Sequence, residues 1–124
     1  MLLLAQILTV VVAALHGYFL VLEMFLWTRP LGLKTFRNTP EKAETTRVLA
    51  ANQGLYNGFL AVGLLWGLGS GQWNVVLFFL GCVVVAALYG AYSVSRRIFF
   101  VQGVPAILAI VTILVGVGVI TMSS

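Results

Sequence analysis

Glu23 is the residue that this chain can least easily carry without a purpose. It falls in the first of four long apolar runs. A charged side chain at the centre of a membrane helix costs about 3 kcal/mol to insert, so such a group is a candidate for binding or proton chemistry. Trp27 follows one turn later and reads as an interface anchor, which makes Glu23 shallow. Two readings fit a shallow acid. It either reaches interfacial water or a loop arginine, or it faces a ligand. His16 lies seven residues earlier, on the same helix face and about 10 Å away along the axis, too far for a direct hydrogen bond. Gln6, Thr9 and Ala13 extend that stripe. The series 6, 9, 13, 16, 20, 23 is heptad-like, so this face is expected to point at other helices. His16 is then an interhelical contact or a general base.

The second run carries Asn52, Gln53, Tyr56 and Asn57, which span an arc of about 140° on a helix. Buried carboxamides are costly unless paired. One such group is ordinary interhelical glue, and four polar side chains at one level exceed that need. Tyr89 and Tyr92 on the third run, and Gln102 on the fourth, approach the same level. Polar side chains of all four spans therefore converge on one half of the membrane. The expectation is a polar pocket open toward the cytoplasm, lined by His16, Glu23, Asn52, Gln53, Tyr56, Asn57, Tyr89, Tyr92 and Gln102.

The elements that must hold these residues follow from composition. Hydrophobic residues make up 61% of the 124 and charged residues 8%, against about 25% charged in soluble domains. A bilayer core needs about 20 apolar residues as helix, and its backbone must satisfy its own hydrogen bonds. The runs predict helices over about residues 2–27, 40–68, 73–95 and 98–122, which use nearly the whole sequence. The first run has no basic start and no small-x-small cleavage site after it, so it is expected to be retained rather than removed as a signal peptide.

All seven Lys and Arg residues fall in two stretches, between the first and second apolar runs and between the third and fourth. Arg29, Lys34, Arg37, Lys42 and Arg47 follow the first run, and Arg96 and Arg97 follow the third. Basic loops stay in the cytoplasm. The expected architecture is an all-α integral membrane four-helix bundle with both termini outside, multi-pass in a bacterial inner membrane.

Local signals refine the elements. Arg29-Pro30-Leu31-Gly32 reads as a turn. Thr39 can cap a helix that begins at Pro40, with Glu41 at its positive end. Pro105 removes the donor for the Val101 carbonyl and predicts a kink. The small residues Ala86, Gly90, Ala87 and Ala91 invite close approach of a neighbouring helix, so a parallel homo-oligomer is expected. A faint repeat pairs Arg47, Gln53-Gly54 with Arg97, Gln102-Gly103.

Known chemistries are missing from the sequence. One His and the single cysteine, Cys82, cannot complete a zinc shell or a disulfide. No Gly-rich phosphate loop follows a strand. No metal or cofactor is expected. The basic residues are few and explained by topology and anionic lipid, so no nucleic acid is expected either.

Three strings carry a family resemblance: Leu22-Glu23-Met24-Phe25-Leu26-Trp27, then Val48-Leu49-Ala50-Ala51-Asn52-Gln53-Gly54-Leu55-Tyr56-Asn57-Gly58, then Val101-Gln102-Gly103-Val104-Pro105-Ala106. Together they resemble a family of small four-helix bacterial integral membrane proteins known only as a domain of unknown function. That resemblance implies four helices and little about activity. Small multidrug resistance transporters, and the membrane enzymes of eicosanoid and glutathione metabolism, share only the architecture. The former lack so strong a Lys/Arg bias in their dual-topology members. The latter use intramembrane arginines that this chain does not have.

Three functions remain open on the sequence. The first is binding or transport of a small polar or amphiphilic ligand, lipid included. The second is a membrane enzyme on a lipophilic substrate with Glu23 or His16 as general base. The third is a structural or accessory subunit whose polar residues fasten helices together.

Overall fold

A computed structural model describes residues 1–123 of the chain. Ser124, one of the expected outside positions, lies beyond the described residues. The described residues are helical almost throughout: α1 is Leu2–Met24, α2 Pro30–Thr35, α3 Pro40–Gly69, α4 Trp73–Ser93, and α5 Arg96–Ile98. A π-helical turn, Phe99–Gly103, leads into α6, Val104–Ser123. Four helical stretches are long and apolar enough to cross a membrane: Leu2–Met24, Pro40–Gly69, Trp73–Ser93 and Arg96–Met122.

Several boundaries differ from expectation, and α4 ends at Ser93, two residues early. α1 stops at Met24, and Trp27 sits in the turn after it. The Arg29–Gly32 stretch opens a short helix instead of a plain turn, with Pro30 at the first helical position. Proline there gives up an N–H that has no partner in any case. The last span begins at Arg96, where Ser95 accepts a hydrogen bond from the Arg97 N–H at 3.2 Å. The cap of α3 is as predicted: the Lys42 N–H donates to Thr39 Oγ1 at 3.2 Å.

Pro105 acts through the turn before it. The backbone there widens into the π-helix, and the Val104 N–H donates to the Phe99 carbonyl, five residues back. Such a wide turn re-pairs a helix whose ordinary ladder a proline interrupts.

The chain forms two compact units. Among the described residues, the first holds 1–13 and 62–123. Its packing is set by glycines. A Cβ at Gly67 would lie 2.9 Å from Val76 Cγ2, and one at Gly116 would lie 2.8 Å from Leu2 Cδ2. α3 therefore presses on α4, and α6 on α1, at near-backbone distance. Leu64, Val76, Leu80, Val83, Ala106, Ala109 and Ile113 are fully or nearly fully buried there. Part of the expected small-residue face of α4, at Ala87 and Gly90, is taken up by its own chain, while Ala86 is exposed. A Cβ at Gly90 would meet Ile98 Cγ2 at 2.8 Å, and one at Gly103 would meet Ala87 Cβ at 3.2 Å.

The second unit is residues 14–61. It contains the latter part of α1, the basic loop with α2, and the first part of α3. Trp27 fastens the loop: its Nε1–H donates to Thr46 Oγ1 at 3.1 Å, and its ring meets Phe36 with centroids 4.9 Å apart. Gly32 is buried where a Cβ would stand 1.9 Å from the Leu26 carbonyl oxygen, so only glycine fits. Just past the end of α2, Arg37 has φ 52°, and the Asn38 N–H donates to the Leu33 carbonyl at 2.9 Å. This is a left-handed helix stop, made here without the glycine that usually supplies it.

Candidate functional site

The site is built by a groove on α3. Ala43, Ala50, Gly54 and Ala61 are buried along one side of that helix. A Cβ at Gly54 would lie 2.7 Å from Met24 Cγ, 3.1 Å from Glu23 Cβ and 3.2 Å from the Leu20 carbonyl oxygen. A Cβ at Gly58 would lie 2.6 Å from Leu20 Cδ1. The Gly54-x3-Gly58 pair thus lets α1 settle against α3, with Leu20 seated over Gly58. Sequence reading singled out small residues on α4 and passed over this pair, although the one-turn spacing of glycines in a span was the available signal.

Close approach at Gly54 places Glu23 beside Asn57, one turn further along α3. Asn57 Nδ2 donates a hydrogen bond to Glu23 Oε1. Asn57 is buried and Glu23 half-buried. A buried amide would be costly if unpaired, and the carboxylate satisfies it. Among the described residues the ion pair recorded is Arg47 with Glu44, exposed and 3.4 Å apart. Glu23 therefore has a neutral partner and no cationic one. An ionised carboxylate offers about four acceptor positions, of which the amide uses one.

Within the second unit, the other expected site residues divide between buried and exposed positions. His16 is buried on α1, 1% exposed, with its ring edge-on to Phe19 at 5.6 Å. The inward stripe of α1 holds at Thr9, Ala13 and His16, and fails at Gln6, which is exposed. Asn52, Gln53 and Tyr56 lie on the exposed side of α3, so the polar arc of that helix is split, with Asn57 alone turned inward. Glu23 is paired with Asn57, whereas Asn52 and Gln53 lie on the exposed side of the same helix. The reason is angular: Asn57 stands 140° from Asn52 around the helix, on the side of Gly54.

Tyr89, Tyr92 and Gln102 belong to the first unit. Tyr89 and Tyr92 are 70% and 90% exposed, near the end of α4. Gln102 is half-buried in the π-helical turn. The two Gln-Gly pairs of the sequence are locally alike. Gly54 and Gly103, each following a glutamine, are both buried, and a Cβ at either would meet neighbouring atoms at 3 Å or less. An apolar depression of the first unit is lined by Met1, Leu2, Gly116, Val119 and Ile120.

Four membrane-length helices and an acid–amide pair between two of them define a small all-helical protein of the membrane-spanning type. The chain belongs to the family described as "Protein of unknown function (DUF1304)", whose model matches residues 10–114. It is 33% identical over 116 residues to "Uncharacterized protein YpaA" of Lactococcus lactis subsp. lactis (strain IL1403), a match covering 90% of this chain and 98% of that protein. No solved structure matches significantly.

Proposed function

We propose that this is a multi-pass membrane protein that binds or transports a small polar or amphiphilic ligand, with Glu23 as the ligand-facing group. The observation that carries the reading is the Glu23–Asn57 pair: a half-buried carboxylate within a membrane-length helix, held by a neutral amide and given no cationic partner. Its free acceptor positions favour a ligand with a hydrogen-bond donor, an amine above all. Asn57 is then a positioning residue, which fixes the carboxylate and is itself satisfied by it. Both termini are proposed to lie outside and the two basic loops in the cytoplasm, on the distribution of Lys and Arg. That orientation puts Glu23 in the cytoplasmic half of the membrane.

His16 fits a general base less well, because it is almost wholly enclosed. The test of the proposed reading is equilibrium binding of a fluorescent lipophilic tertiary amine to the full chain in proteoliposomes. Saturable binding that Glu23→Gln weakens at least tenfold is expected. Binding that is indifferent to Glu23→Gln would remove the proposal.

A further inference from the structure

The exposed side of α3 has a pattern of its own. Thr45, Leu49, Asn52, Tyr56 and Phe59 are all exposed, and their spacing alternates four and three residues. Leu49 is 71% exposed, Tyr56 59% and Phe59 54%. On an α-helix these positions form one straight stripe, the seam of a heptad. Gly54, Asn57 and Ala61 lie on the opposite side, against or toward α1. The stripe is therefore free while the helix is held from behind.

Asn52 is the anomaly in that stripe. It lies five residues past Arg47, about 7 Å into the span, between Leu49 and Tyr56. Among the described residues its carboxamide makes no side-chain hydrogen bond. Left against hydrocarbon, both its donors and its acceptor would be unsatisfied, at a cost of several kcal/mol. An amide is self-complementary: its N–H pairs with the oxygen of an identical amide. The group best suited to cover Asn52 is thus another Asn52, brought opposite by a two-fold axis along the membrane normal.

We propose that the α3 stripe Leu49–Asn52–Tyr56–Phe59 is the interface between two parallel copies of this chain, with Asn52 paired to its counterpart. A single polar residue in an apolar heptad seam fixes register and oligomer state. Asn52 would do so here, while Leu49, Tyr56 and Phe59 supply the packing. This differs from the small-residue face of α4, of which Gly90 and Ala87 are already packed within the chain and Ala86 is exposed. It also assigns Asn52 and Tyr56 to assembly, independently of any role for Glu23.

The test uses the full chain in lipid bilayers. With Cys82→Ala as background, single cysteines at 49, 52, 56 and 59 should form intermolecular disulfides on oxidation, and cysteines at 55 and 62 should not. Disulfides require Cβ atoms about 4 Å apart, so the pattern reads the seam directly. Energy transfer between donor- and acceptor-labelled copies should report dimers at low protein-to-lipid ratio. Asn52→Leu should weaken association about fivefold to thirtyfold, and Asn52→Gln should largely preserve it. A monomer at every protein density would overturn the proposal, with the amide served by lipid head groups instead. So would cross-linking through 55 and 62, or association indifferent to Asn52→Leu.

Discussion

Asn57 on α3 reaches back across 34 positions of sequence to hold the Glu23 carboxylate of α1. The two residues are brought together by what lies between them in space, Gly54, whose missing side chain lets the helices touch. Removing either polar partner should therefore act differently. Asn57→Leu leaves a half-buried carboxylate without its donor, while Glu23→Gln keeps an acceptor for Asn57 in nearly the same shape. We expect Asn57→Leu to destabilise the protein by about 1–2 kcal/mol in detergent unfolding, and Glu23→Gln by less than half of that. Equal losses from both would mean that the bond is not what holds Asn57.

The glycine groove makes a graded prediction. A Cβ at Gly58 meets the far end of the Leu20 side chain, which can turn aside. A Cβ at Gly54 also meets the Leu20 backbone carbonyl, which cannot. Gly54→Val should cost about 1–3 kcal/mol by overpacking, and Gly58→Ala clearly less. Thermal denaturation of the two variants in one detergent measures the order.

The basic loop can be probed at its two special backbone positions. Gly32→Ala puts a methyl into the Leu26 carbonyl and should free α2, seen as protease cleavage between residues 28 and 38. Arg37 occupies a left-handed conformation that glycine adopts without strain. Arg37→Gly should raise stability by up to about 1 kcal/mol.

Orientation is open to direct measurement. Reporter fusions after residue 122 should report the outside, and impermeant labelling of a cysteine at position 35 should require access from the cytoplasm. A cytoplasmic C-terminus would move Glu23 to the outer half and change the side from which a ligand enters.

The sequence made the helices legible because each span must be long and apolar, and the cap at Thr39 because its chemistry is local. The disturbance at Pro105 was legible for the same reason, though not its form as a π-helical turn. α2 was read as a turn because six residues hold too little periodicity to distinguish the two. The site was legible only in part. Glu23 and Asn57 stood out as costly residues, but their pairing was not visible. Neighbouring helix positions differ by 100°, so composition alone cannot tell which edge of the Asn52–Asn57 arc faces α1. Gly54 decides that, by steric contact rather than polarity, and so Asn52 and Tyr56 turn outward while Asn57 turns in.

The central claim, that the Glu23 carboxyl faces a ligand, is tested most directly by labelling with a hydrophobic carbodiimide in proteoliposomes, quantified at Glu23 by mass spectrometry. Glu23 is expected to be labelled in preference to Glu41 and Glu44, and a lipophilic tertiary amine is expected to protect it in a saturable way. A Glu23 that resists the reagent, or one labelled equally with and without the amine, would contradict it.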